Sequence, residues 1–446
     1  MKIIIAGAGD VGFHLAELLE SENQDITLID LDQEVLEHAA THLDVMTVRG
    51  DAASIEVLER ADIQRAKLFL AVTTSEKTNL LAAILAKQMG VKKTVARVSN
   101  PEYLRRVQKE GFQKLGIDNL FSPHLLAAQE IERLLQRCSF TDIFEFEEGK
   151  ISVIGFTVDS ASPLVGKSLR QMNSNTSGFL IRAIAILRAG RTIIPHGDMV
   201  LASGDHLYLV TKNEYIDKLT AYVGKSLKKV KKVMIVGGSP LALPVAKILE
   251  DKYAVTLVEQ DRAACKKLIE RLHHTLVIKG DPSNIDLLRE EGLGEMDAFI
   301  SLTPNSETNI ITSLMAKEEG LFKTIALVDN AVYTHISQNI GVDTIINKKI
   351  IAANNIFRFV RKGKIEAITS LHGVNAEVIE FVVHKQNQLT KKSLRNLRLP
   401  KKSLIAGVVR GKEAFIPDGD FQMQLNDKVI VFAMPGAIGK MEGLFQ

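Results

Sequence analysis

The sequence predicts an α/β protein of two doubly wound parallel-sheet domains, each followed by a small α+β domain. Three observations lead there. A glycine-rich turn, GAGDVG at positions 7 to 12, follows an apolar run and opens an amphipathic helix. Short β-branched runs then alternate with helical periodicity, the pattern of parallel strands joined by helices. The whole arrangement then recurs: Gly7, Gly9 and Gly12 return 230 residues later as Gly237, Ser239 and Ala242. The same offset carries Val11, Leu15, Leu18 and Leu19 onto Leu241, Val245, Ile248 and Leu249, Gly50-Asp51 onto Gly280-Asp281, and Thr78-Asn79 onto Thr308-Asn309. A unit written twice is not one cofactor domain followed by one substrate domain.

Taken in order, Ile3 to Ala6 is the first strand, and the apolar spacing from Val11 to Leu19 marks one face of the next helix. Ile26 to Ile29, Val45 to Val48, Leu68 to Val72 and Thr94 to Val98 are the second to fifth strands. A helical stretch from Pro123 to Arg137 closes the unit, and its counterpart runs from Lys348 to Arg361 at an offset of 225. Beyond Gly149 the texture turns β-rich, with strands expected at Ile151 to Val158, Ile181 to Leu187 and Leu207 to Val210. This module also repeats: Lys167-Ser168-Leu169-Arg170 returns as Lys392-Ser393-Leu394-Arg395, and Pro195-His196-Gly197-Asp198 as Pro417-Asp418-Gly419-Asp420. The expected division is 1–123, a parallel-sheet domain; 124–150, a helical crossover; 151–222, a small domain; 223–231, a basic linker; then 232–348, 349–372 and 373–446 as the second set. The lysine-rich run KSLKKVKK, Lys225 to Lys232, reads as a solvated linker or as a contact for anionic lipid or a membrane partner.

Composition is that of an ordinary globular protein, with 46% hydrophobic and 24% charged residues. The net charge of +3 is too small to imply nucleic acid. Apolar runs such as Leu80 to Ala86 fall far short of the roughly 18 residues that span a bilayer, so the chain is not expected to be a channel itself. MKIIIAGAG is too short an apolar run for a signal peptide and reads as a strand. Cys138 and Cys265 form no metal-binding pair and fit a reducing cytoplasm.

GAGDVG sits between strand and helix, the context that a Rossmann-type nucleotide fingerprint requires. Gly7 permits the tight turn, Gly9 admits a pyrophosphate, and Gly12 lets the helix lie close to the sheet; Ala8, Asp10 and Val11 complete the loop. Amides at the helix start bind phosphate with the helix dipole behind them. Asp30, at the end of the second strand, can accept hydrogen bonds from ribose hydroxyls and would repel a 2′-phosphate, which favours NAD(H) or an adenosine nucleotide over NADP(H). Asp32 is either a second such carboxylate or a solvated loop residue. Gly50-Asp51, Thr73-Thr74 and Arg97 are further candidates, for the adenine, for nucleotide hydroxyl contacts and for phosphate respectively. In the second copy the candidates are Gly237, Gly238, Ser239, Pro240, Leu241 and Glu259. Pro240 removes an amide donor and Leu327 stands where Arg97 does, so a weaker or different site is expected there.

Two nucleotide-binding units, each trailed by a small module with a Pro-x-Gly-Asp turn, resemble the tandem RCK arrangement, KTN plus RCK-C. GAGDVG with Asp30, the stretch from Ala71 to Asn79, Ala96-Arg97-Val98 and the duplicated small module carry the resemblance over essentially the whole chain. It implies a cytoplasmic regulatory subunit, peripheral on the inner face of the membrane, binding NAD(H) and ATP or ADP. It also implies a homo-oligomer, a tetrameric gating ring, beneath a potassium-conducting membrane subunit of the TrkH/TrkG type. Regulation needs no catalytic group, only a ligand that binds one conformation more tightly than another.

Two other readings stand beside this one. A soluble NAD-dependent dehydrogenase would need an acid or base over the nicotinamide; His196 is the nearest candidate, and its counterpart is Asp418. Alternatively the main ligand occupies the small modules, where the Lys-Ser-Leu-Arg segments are basic.

Overall fold

The computed structural model describes residues 1–20, 24–136, 139–147, 149–174, 178–225, 229–329, 341–361, 367–370, 374 and 376–445. Cys138, Arg137 and Ser226 to Lys228 of the basic run lie outside the described residues. The first unit is a six-stranded parallel sheet of β1 (Lys2–Ala6), β2 (Asp25–Asp30), β3 (Met46–Arg49), β4 (Leu68–Ala71), β5 (Lys93–Arg97) and β6 (Asn119–Phe121), in the order β3-β2-β1-β4-β5-β6. Sequence reading expected five strands. The sixth, three residues long, is too short to show a period and is held in place by its neighbours: the Asp118 carboxylate accepts from Thr94 N at 2.8 Å and from Lys87 Nζ at 2.9 Å. The strand order reverses beside β1, so a crevice opens between the carboxyl ends of β1 and β4, where open α/β sheets bind ligands.

Every side chain of Ile3, Ile4, Ile5 and Ala6 is fully buried, as expected for a parallel sheet covered on both faces. Alternation sends them to two cores. Ile4 and Ala6 pack with Leu58, Ala82 and Ala86. Ile3 and Ile5 pack with Leu15 and Leu19, and also with Ala352, Ala353 and Ile356 from the second half of the chain.

The second unit repeats this sheet with strands Lys232–Val236, Ala254–Glu259, Leu276–Lys279, Ala298–Ser301, Lys323–Leu327 and Thr344–Ile346, in the corresponding order. Its Val233 and Ile235 pack with Ala127, Ile131 and Leu135 of the first half. The two crossover helices are therefore exchanged. Pro123–Gln136 lies against the second unit's glycine-loop helix, Ala242–Leu249, and Lys348–Arg361 lies against the first unit's, Asp10–Glu20.

The segments expected as helical crossovers are not helical throughout. Asp142–Phe146, within 124–150, is an edge strand pairing antiparallel with Ile151–Thr157, and Ala367–Ser370, within 349–372, pairs with Glu377–Val382. Each belongs to the five-stranded sheet of a small domain. The two small sheets pack on one another through Val153, Tyr208, Val378 and Phe432. In each, an arginine closes the end of a hairpin on a buried aspartate: Arg188 on Asp205 at 2.6 Å, and Arg410 on Asp427 at 2.8 Å. Among the described residues no helix is long and apolar enough to cross a membrane.

Candidate functional site

The glycine loop fits the roles expected of it. Gly7 has φ of +103°, and a Cβ there would lie 2.8 Å from Thr73 N. A Cβ on Gly12 would fall 1.8 Å from the Gly7 carbonyl oxygen, so only glycine lets the helix begin against the loop. At Gly9 a Cβ would meet nothing within 4 Å; that side of the loop faces open space. The space is a cleft of about 560 Å³ lined by Gly7, Gly9, Asp10, Val11, Asp30, Gly50, Asp51, Thr73, Thr74 and Arg97, all expected from the sequence. Ala8 contributes through its amide, which donates to Asp30 Oδ2 at 2.7 Å. Asp30 Oδ1 accepts from Asp32 N at 3.0 Å, so the carboxylate is fixed by two backbone donors and retains lone pairs for hydroxyl groups.

Two candidates have other duties. The Thr73 hydroxyl donates to Asn79 Oδ1 at 2.7 Å and accepts from Ser75 N, so it closes its own turn rather than facing a ligand. Asp32 caps the helix Gln33–His42 by accepting from Glu34 N at 2.9 Å. Thr74 is exposed at the cleft wall. Asp51 Oδ1 accepts from Ala53 N, and Gly50, at φ of +154°, is packed against Val57.

Arg97 is the positive group that the first unit itself supplies to the cleft. Its Nε is buried without a hydrogen-bond partner, and burial lowers the pKa of the guanidinium. A buried cationic donor with no acceptor is costly, and an anion in the cleft relieves it.

Four ionisable residues of this wall were not expected from the sequence. His124 comes from the start of the first crossover helix, while Asp329, Lys348 and Lys349 come from the second half. Burial, reinforced by Lys348 and Arg97, lowers the His124 pKa to about 4, so the ring is neutral at physiological pH. Lys348 pairs with Asp329 at 2.9 Å, and Lys349 with Asp10 of the glycine loop at 2.6 Å. One signal for the lysines was available: two cations in a helix's first turn oppose the helix dipole and call for an outside partner.

The second copy is built differently. Gly237 keeps the turn, with φ of +93°. Glu259 reaches back to accept from the Gly238 amide and from Asp261 N at 2.7 Å. A Cβ at 238 would lie 2.7 Å from the Glu259 carboxylate, so glycine at 238 accommodates the longer acid that replaces Asp30. The helix starts at Ala242, two residues later in register than Asp10, with Pro240 and Leu241 left in the preceding turn. Ser239 Oγ is buried without a partner, and Leu327, buried, occupies the place of Arg97.

In the small domains, the basic segments are turn chemistry. Arg170 pairs with Asp198 at 3.0 Å and Arg395 with Asp420 at 2.5 Å, joining each Lys-Ser-Leu-Arg to its Pro-x-Gly-Asp turn. His196 lies exposed in the first of these turns and is not among the residues of the cleft.

Residues 3–123 and 233–348 each match the TrkA-N domain, and residues 153–224 and 378–446 each match the TrkA-C domain. The chain is 35% identical, over all of both chains, to a protein of Archaeoglobus fulgidus named Trk system potassium uptake protein TrkA homolog. It is 32% identical, again over all of both chains, to TrkA homolog 1 of Methanosarcina mazei. Among solved structures, the GsuK channel superposes on all of this chain and 78% of its own with a TM-score of 0.62 at 16% identity. The GsuK channel bound to NAD does so with a TM-score of 0.59 at 15% identity and the same coverage.

Proposed function

The chain belongs to the TrkA family, and on that premise we propose that it is the nucleotide-sensing regulatory subunit of a potassium-uptake system. The observation that carries the reading is the first unit's cleft: a glycine loop open at Gly9, an anchored Asp30, and a half-buried Arg97 whose buried Nε has no partner. The ligand is NAD(H), with ATP or ADP as further adenine nucleotides. Gly9 and the amides at the start of the helix Asp10–Glu20 hold its phosphates, Asp30 its ribose hydroxyls, and Arg97 balances its charge. A bound nucleotide supplies fixed negative charge and shape, not chemistry, and the protein is not an enzyme. The second unit, with Leu327 for Arg97 and Pro240 in its loop, binds more weakly or is purely framework. The output is a change in a homo-oligomeric ring, a tetramer, apposed to a TrkH/TrkG-type membrane subunit on the cytoplasmic face.

Calorimetric titration of the full chain with NADH and with ATP tests the reading. Arg97→Leu, which copies the second unit's own residue, should weaken binding about tenfold or more, and Asp30→Ala should abolish it. Unchanged affinity in both variants would refute the site, and robust NADH oxidation with a panel of carbonyl substrates would refute the regulatory reading.

A further inference from the structure

Lys348 and Lys349 occupy the first turn of the second crossover helix, which has no acidic residue in that turn. A helix N-terminus disfavours cations, so their placement is held by something outside the helix. For Lys349 it is Asp10, 2.6 Å away on the rim of the first unit's glycine loop; for Lys348 it is Asp329. The Lys349 side chain is 23% exposed and that of Asp10 69%, so the lysine is the fixed partner and the aspartate the one free to leave. At the offset of 225 that relates the crossover helices, the counterparts of Lys348 and Lys349 are Pro123 and His124. The lysines thus belong to one copy only. They line the cleft of the opposite unit, the one that keeps three glycines and Arg97. A neighbouring cavity of about 800 Å³ between the two units shares Gly9, Asp10 and Lys349 with that cleft.

We propose that Lys349 reads the terminal phosphates of a nucleoside polyphosphate held in the first unit's cleft, exchanging Asp10 for phosphate as its partner. This rests on the nucleotide-binding reading of that cleft. A phosphate chain running past Gly9 is repelled by the Asp10 carboxylate and attracted by the Lys349 ammonium. The Lys349–Asp10 pair joins the second crossover helix to the start of the helix Asp10–Glu20, and these two helices share a core through Ala352, Ala353 and Leu15. Opening the pair therefore changes how one half of the chain sits on the other. A ligand too short to reach Lys349 leaves the pair closed, so triphosphate and nucleoside are told apart by the second half of the chain.

The test titrates ATP and adenosine against the full-length protein and its Lys349→Gln, Lys349→Arg and Asp10→Asn variants. Lys349→Gln should lower ATP affinity about tenfold and leave adenosine affinity unchanged. Lys349→Arg should keep ATP affinity, and Asp10→Asn should raise it. Amide exchange in residues 348–356 should respond to ATP in the wild type and not in Lys349→Gln. Equal losses for ATP and adenosine, or no loss for either, would overturn the role of Lys349. If Lys349→Gln does not fold, Asp10→Asn decides: ATP affinity that fails to rise overturns the exchange. A wild-type chain that binds NADH but not ATP overturns this inference alone, and one that binds none of ATP, adenosine and NADH overturns the nucleotide reading itself, a result distinct from the others.

Discussion

Asn79 shows how one residue can govern a site without lining it. Its carboxamide accepts from Thr73 N and Thr73 Oγ1 and donates to the carbonyls of Thr73 and Arg97, at 2.7 to 3.0 Å. It thereby sets the backbone from which Arg97 enters the cleft. Asn309 makes the same four bonds to Thr303 and Leu327. His124, in the wall of the site, titrates in the acid range. Folded, its pKa is near 4, while the ordinary value is 6.5. Between those values the unfolded chain binds the proton more readily, so this contribution to stability is fully present above about pH 6.5 and is lost as pH falls towards about 4. His124→Gln should shrink the drop in melting temperature between about pH 7.5 and about pH 5. A drop of the same size in the variant would exclude His124 as its source. In the sequence, Thr78-Asn79 was visible as a repeated pair, but a buried amide joining two loops leaves no periodic trace. His124 was hidden for a similar reason: what perturbs it arrives partly from residue 348.

The two glycine-loop helices began as copies and now differ in their first turn. Asp10–Glu20 starts directly from the loop, whereas Ala242–Leu249 has lost two residues at its N-terminus to Pro240 and Leu241. The later start changes which amides the loop presents, and Glu259 takes that of Gly238. Acid and loop residue changed together: Asp30 beside Ala8 in one copy, Glu259 beside Gly238 in the other. Gly238→Ala should push the Glu259 side chain out of its pocket and cost about 1 to 3 kcal/mol, read by denaturant unfolding. The double variant Gly238→Ala with Glu259→Asp should recover most of that, and failure to recover would show that the pair is not coupled. At this scale the sequence was legible wherever period and turn chemistry agreed. All five expected strands of the first unit are present within a residue or two at each end. The short edge strands Asn119–Phe121, Asp142–Phe146 and Ala367–Ser370 were missed, because pairing partners rather than their own patterns define them.

At the scale of the molecule, the halves interlock. Each crossover helix completes the core of the other unit, the small sheets share a third core, and Lys323 is buried with its Nζ donating to the Phe140 carbonyl across the junction. The A-B-A′-B′ order was plain from the offsets, but the exchange of helices was not, since a repeat reports similarity and says nothing about which copy packs on which. Residues 1–225 expressed alone should therefore not be a stable monomer. They would bare the faces of Leu15, Leu19, Ile131 and Leu135 that the second half covers, and sedimentation should find a dimer. A folded monomer of that length would contradict the interlocked arrangement.

The exchanged helices bear on how the two clefts came to differ. Were such units separate molecules paired by symmetry, any change to one would appear in its twin, and a lysine gained at the start of one crossover helix would face both clefts alike. A proline that spoiled one loop would spoil both. Joined in a single chain, the pair keeps its mutual support while each copy drifts alone. Pro240, Leu327 and Glu259 can then accumulate on one side while Asp10, Arg97 and Asp30 persist on the other. The covalent link is thus what frees the two copies to differ, and Lys349 of one can face a cleft that its own counterpart, His124, does not mirror.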